Sequence, residues 1–200
     1  MSLIDPASIA QLAAAYPRAP AGLRHNLVAE ALLAHAALAD VARRLPPAHA
    51  ERRVHDAADG EAFGMTEDQH GTADAIAAGG ADKAWIMLRG IEQLPDYRAL
   101  LHRLLAGLAP AITPVSGPVR DIRGFVFVSA PRTHTPFHFD AEYNILFQIA
   151  GDKVFATDPP PPPFLDLAAR EAYHRSGENL LAWKPEFALG GRIAQRIGRS

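Results

Sequence analysis

The sequence predicts a mixed α+β chain, with a helical N-terminal half packed against an antiparallel β region. Three observations predict it. Apolar residues recur at helical spacing between Leu27 and Leu45 and again between Tyr97 and Leu108. Runs rich in β-branched and aromatic residues, Ala84 to Leu88, Gly124 to Ser129 and Tyr143 to Ile149, stand in the second half. Prolines and glycines punctuate the chain between these segments. With 200 residues, 48% of them hydrophobic, the chain can build one medium domain with a real core. The division read from this is a helical region over residues 1–83 and a β-rich domain over residues 84–200, together a single globular unit.

Taken in order, Asp5-Pro6 supplies a cap and a proline for the first helical turn, and Ile9, Leu12, Ala13 and Tyr16 follow at helical spacing until Pro17 and Pro20. Asn26 is placed to cap a second helix, whose stripe Leu27, Ala31, Leu38, Val41 and Leu45 ends at Pro46-Pro47. His35 and His49 lie here without a partner at ligand spacing. Arg52 to His55 reads as a short strand and Glu61 to His70 as a loop. Ala73 to Ala78 reads as a short helix closed by Gly79-Gly80, and Ala84 to Leu88 as a core strand. Leu94-Pro95-Asp96 opens the clearest helix, with Tyr97, Leu100, Leu101, Leu104, Leu105 and Leu108 repeating at three and four. Pro110, Pro114 and Pro118 are expected to break it into a loop. The prolines from Pro159 to Pro163 read as a stiff connector, followed by a helix from Phe164 to Tyr173.

The chemistry sits in Thr135-Pro136-Phe137-His138-Phe139-Asp140. In a strand, alternate side chains share a face, so His138 and Asp140 project side by side. An imidazole and a carboxylate so placed supply two of the three ligands of a 2-His-1-carboxylate iron site. Ala150-Gly151-Asp152-Lys153 reads as a tight hairpin turn joining Tyr143–Ile149 to a return strand, Lys153 to Thr157. In that register His138, Asp140, Glu142, Asn144 and Gln148 share one face with Lys153. A half-solvated sheet face would also be polar, and it accounts for Glu142 and Gln148.

These residues, with Asn144 and then Gln148-Ile149-Ala150-Gly151-Asp152-Lys153, resemble the core of the JmjC and cupin-like Fe(II)/2-oxoglutarate dioxygenases. The nearest likeness is to the group holding the asparaginyl hydroxylase that inhibits hypoxia-inducible factor and its small bacterial cupin-like relatives. The likeness is specific over about Phe125 to Pro160 and looser upstream through Trp85 to Leu105. It implies a partial double-stranded β-helix, or jelly-roll, in the second half. It implies iron ligands at His138 and Asp140, and Lys153 paired with the distal carboxylate of 2-oxoglutarate. It also implies that Thr135 and Asn144 hydrogen-bond the cosubstrate. The chain departs from the pattern at the second iron-binding histidine, which the family carries on a late strand after a Pro-Gly-Asp-like turn. Here the only later histidine is His174, at the end of the Phe164–Tyr173 helix, where a surface position is expected. His134 is the local competitor for the metal. The chain is therefore expected to stop before the closing strands of the barrel, leaving an open sheet edge.

Composition bounds the rest. The formal charge of −2 gives no bulk electrostatic case for nucleic acid. Arg192, Arg196 and Arg199 read as a solvated basic tail. The absence of cysteine removes disulfides, thiolate zinc sites and cysteine nucleophiles, and suits a reducing cytoplasm. No signal peptide and no apolar run of bilayer length stand out. The expectation is an Fe(II)- and 2-oxoglutarate-dependent oxygenase of hydroxylase type, cytoplasmic and incomplete in its ligands. Its substrate is an unidentified protein or small molecule, and a homo-oligomer stays open. The rivals are a non-catalytic cupin-like binding or regulatory module that holds no iron, and a cupin isomerase or metal-dependent lyase.

Overall fold

The computed structural model describes residues 2–54, 64–66, 70–79, 84–133, 135, 137–158, 162–177, 179–182, 184, 187 and 193–197. The chain is mixed α/β, with five α-helices and a small antiparallel sheet among the described residues. It divides into two compact units, one of residues 1–54 and 65–131, the other of residues 55–64 and 132–199. The break falls after Pro131 and not at residue 83, because the strands expected to open the second domain pair with a strand from the first.

In the first unit, strands β1 (Ala50–Val54), β2 (Gly64–Thr66), β3 (Ala84–Arg89) and β4 (Phe125–Ser129) form an antiparallel sheet in the order β2–β1–β3–β4. Period-two alternation sorts β3. Ile86 and Leu88 are fully buried, with Ile86 opposite both Arg52 and Val128. Trp85 turns to the other face, 5.4 Å from Phe127, which itself stacks on Phe125 at 6.3 Å. Helices α2 (His35–Arg44) and α3 (His70–Ala77) complete the core with Leu38, Val41 and Ile76. Each such aliphatic side chain contributes about 1.5–3 kcal/mol by leaving water. Gly79, at φ +86, closes α3 by donating its N–H to the Ile76 carbonyl at 2.9 Å.

The helix expected from Leu27 to Leu45 is instead two 3-10 turns, Leu27–Ala29 and Ala31–Leu33, followed by α2. Two side chains explain the interruption. Asn26 does not cap; its amide donates to the Ser2 carbonyl at 3.1 Å. The buried Tyr97 hydroxyl donates to the Leu32 carbonyl at 2.7 Å, occupying an acceptor that a continuous helix would use.

Helix α1 (Pro6–Ala15) starts as expected at Asp5-Pro6. Helix α4 runs from Pro95 to Ser116, through Pro110 and Pro114. Both prolines are exposed, one turn apart, so the carbonyls they leave without a donor, Ala106 and Pro110, lie toward water. The helix stops only at Gly117, whose N–H reaches the Thr113 carbonyl at 3.0 Å, with Pro118 beyond it. At 22 residues α4 is long and apolar enough to cross a membrane. Its buried residues Tyr97, Leu100, Leu104, Leu108, Ala111 and Ile112 recur at three and four, the pattern of a helix docked on a core.

In the second unit, β5 (Lys153–Thr157) pairs antiparallel with β6 (Ile193–Ile197), so part of the segment read as a solvated basic tail is a strand. The expected hairpin between Tyr143–Ile149 and Lys153–Thr157 does not form. Gly151 turns the chain at φ +68, but residues 143–149 carry no ladder. Tyr143 is 71% exposed and Leu146 is exposed as well, so that run has too little buried face to fix a register. Helix α5 (Leu167–Ser176) begins at Asp166, whose carboxylate accepts from the Ala169 N–H at 2.6 Å, and ends at Gly177 with φ +72. Phe164 and Phe187 are buried, 5.1 Å apart, and Phe137 stands 5.8 Å from Phe187.

Candidate functional site

The segment carrying His138 is held from an unexpected side. Gly177 ends α5 and lets residues 179–181 run back along residues 137–139. His138 bridges Leu180 in antiparallel fashion. Leu181 N–H donates to the Phe137 carbonyl at 2.9 Å, and Phe139 N–H to the Asn179 carbonyl at 3.1 Å. The Asn179 amide side chain adds a bond to the Phe139 carbonyl at 3.0 Å. Phe139 meets Tyr173 of α5 edge-on at 5.5 Å. Neither Asn179 nor Tyr173 stood out as a supporting residue in the sequence; the one local signal is Gly177, a helix-ending glycine two residues before Asn179.

On this short ladder His138 Nε2 lies 3.8 Å from Asp140 Oδ1, with both side chains about one third exposed. The other Asp140 oxygen, Oδ2, accepts from Asn144 Nδ2 at 2.8 Å. His138, Asp140 and Asn144 thus come together, although not by the even-numbered strand face expected. Only residues 137–139 are laddered, Glu142 is engaged by the Tyr173 hydroxyl at 3.4 Å, and the Gln148 amide turns to the Ala150 carbonyl at 2.7 Å. Thr135 is exposed, and His134 lies outside the described residues. His174 is exposed on α5 with its ring 5.7 Å from that of Tyr173, in keeping with a surface position.

Lys153 opens β5 opposite Ile197. Burial lowers the pKa of its ammonium from the ordinary value. No hydrogen bond or ion pair engages its side chain among the described residues, and none links it to Asp140.

The donor pair fits part of a metal site. With bonds of about 2.0–2.2 Å, an ion can touch two atoms 3.8 Å apart, but adjacent positions of an octahedron would bring them to about 3 Å. The pair must therefore close by somewhat under 1 Å. Asn144 is placed to orient Asp140 for this, as hydrogen-bonding partners of metal ligands do. Among the described residues no group of three His, Asp or Glu side chains converges, so the third ligand is not found there. No family model, no curated protein and no solved structure matches the chain.

Proposed function

We propose that His138 and Asp140 form the metal-binding pair of an oxygenase site of the JmjC and cupin-like type, dependent on Fe(II) and 2-oxoglutarate. In this reading the second unit is a partial jelly-roll. The observation that carries it is the joint placement of His138, Asp140 and Asn144, with one Asp140 oxygen facing the imidazole and the other held by the amide. Ferrous iron with 2-oxoglutarate and O2 would supply oxidising chemistry there, hydroxylation being the commonest outcome in that family. His138 and Asp140 hold the metal. Lys153 takes the distal carboxylate of the cosubstrate, a role supported by the partial burial that lowers the pKa of its ammonium. Thr135 and Asn144 hydrogen-bond the cosubstrate, Asn144 through the second N–H of the amide that already steadies Asp140.

With two protein ligands among the described residues, most coordination positions fall to water, so metal binding is weak and turnover slow. The experiment is anaerobic loading with Fe(II) followed by air and 2-oxoglutarate, with succinate as the readout. Slow succinate release that disappears in His138→Ala is the expected result. No succinate above the His138→Ala background would favour the second reading, a non-catalytic binding or regulatory module. That reading draws on the exposure of the His138–Asp140 pair and on the missing third donor among the described residues.

A further inference from the structure

A second cluster of unneutralised charge lies wholly within the first unit. Arg98 and His102 stand one turn apart on α4, on the same side of the helix. With Arg120, Leu101, Ile122 and Glu92 they line a surface depression of about 190 Å³. Arg120 and Ile122 precede Gly124, which is fixed against residues 90–92. The Gly124 carbonyl accepts from the N–H groups of Gly90 at 2.9 Å and Ile91 at 3.2 Å. Its own N–H donates to Glu92 Oε2 at 2.8 Å. A Cβ at this position would stand 2.6 Å from Ile91 Cγ1 and 2.7 Å from Leu101 Cδ1, so only glycine allows so close an approach.

The charges in the depression are unbalanced. Glu92 is its one acid, and one oxygen is committed to the Gly124 N–H. Arg98 donates Nε to the Glu92 carbonyl at 2.9 Å, which fixes the guanidinium and leaves its terminal N–H groups unused. Arg120 and His102 have no hydrogen-bond or ion-pair partner among the described residues. The volume is below the roughly 300–1,000 Å³ of a site that swallows a whole small molecule. It suits one anionic group of a larger ligand.

We propose that this depression binds a single oxyanion, a phosphate or carboxylate group, between the guanidinium forks of Arg98 and Arg120, with His102 at its edge. Guanidinium geometry matches both groups in bidentate fashion. Glu92 sets the depth of the site and opposes the anion. The proposal is independent of the His138–Asp140 pair.

The test is calorimetric titration of the full chain at low ionic strength with inorganic phosphate and, separately, with acetate. The dissociation constant for the preferred anion should be about 1 mM, as befits an exposed site, and the anion that binds tighter identifies the ligand group. Arg120→Ala should weaken binding about tenfold. Arg103→Ala is the control. It removes the same charge from α4, but at a residue paired with Glu30 at 2.8 Å, and should weaken binding less than about twofold. Glu92→Gln keeps an acceptor for Gly124 and should tighten binding about threefold. No saturable binding of either anion, or equal loss in Arg103→Ala and Arg120→Ala, would overturn the proposal.

Discussion

Tyr97 illustrates how one buried polar atom can decide the path of the chain. Its hydroxyl binds the Leu32 carbonyl, in the second of the two 3-10 turns, and takes an acceptor that a continuous helix would use. Tyr97→Phe should cost about 1–2 kcal/mol at pH 7, read from the urea midpoint, because the carbonyl loses its donor in the core. Burial also pushes the phenol from 10.0 up to about 12. The folded state then keeps a proton that the unfolded state loses, so stability should fall as pH rises from 10 toward 12. Tyr97→Phe should lack that particular loss. Lys153 has the opposite sign. Its lowered folded pKa means that the unfolded chain binds more protons between that value and 10.5, so stability rises with pH across the window. Lys153→Met should therefore be more stable than wild type at pH 7, by less than about 1 kcal/mol for a half-buried group, with the gain fading toward pH 10.5. At this scale the geometry of the candidate site was legible in part. The proximity of His138 and Asp140 follows from residue type and spacing, whereas the bond from Asn144 to Asp140 goes with a bend at residues 141–142 that strand parity did not anticipate.

Helix α4 is the element on which propensity and tertiary structure disagree most clearly. Prolines inside a helix normally end it, and the sequence alone places a loop there. The observed helix continues because both prolines face water, where the orphaned carbonyls can be solvated, while Leu108, Ala111 and Ile112 anchor the other side. Pro110→Ala restores an N–H for the Ala106 carbonyl. It should stabilise the chain by about 2 kcal/mol, the helix-interior cost of proline less the entropy it removes from the unfolded chain. Thermal unfolding measures it, and a loss of stability would show that the two prolines are needed to shape α4. The hairpin failed for the reverse reason. Its turn residues were sound and Gly151 does turn, but Tyr143 to Ile149 carries apolar residues that find no continuous buried face. The return strand takes Ile193 to Ile197 as its partner, a pairing 40 residues away in sequence that local pattern cannot reveal.

On the scale of the whole molecule, the α+β class was legible because β3 and β4 read as strands and α4 as an amphipathic helix. The division into units was not, since the pairing of Ala50–Val54 with Ala84–Arg89 is non-local. The central claim is that His138 and Asp140 hold a metal and that Lys153 holds the far end of 2-oxoglutarate. The measurement that tests it most directly is anaerobic calorimetric titration with Fe(II), with and without 2-oxoglutarate, on wild type, His138→Ala and Lys153→Met. Wild type should bind metal weakly alone, with a dissociation constant no tighter than about 10 μM, and at least tenfold more tightly when 2-oxoglutarate is present. Lys153→Met should keep the weak metal binding but need about a hundredfold more 2-oxoglutarate, the loss of a charged hydrogen bond worth about 2–3 kcal/mol. His138→Ala should bind neither. Metal binding unchanged in His138→Ala, or a 2-oxoglutarate response undiminished in Lys153→Met, would contradict the account.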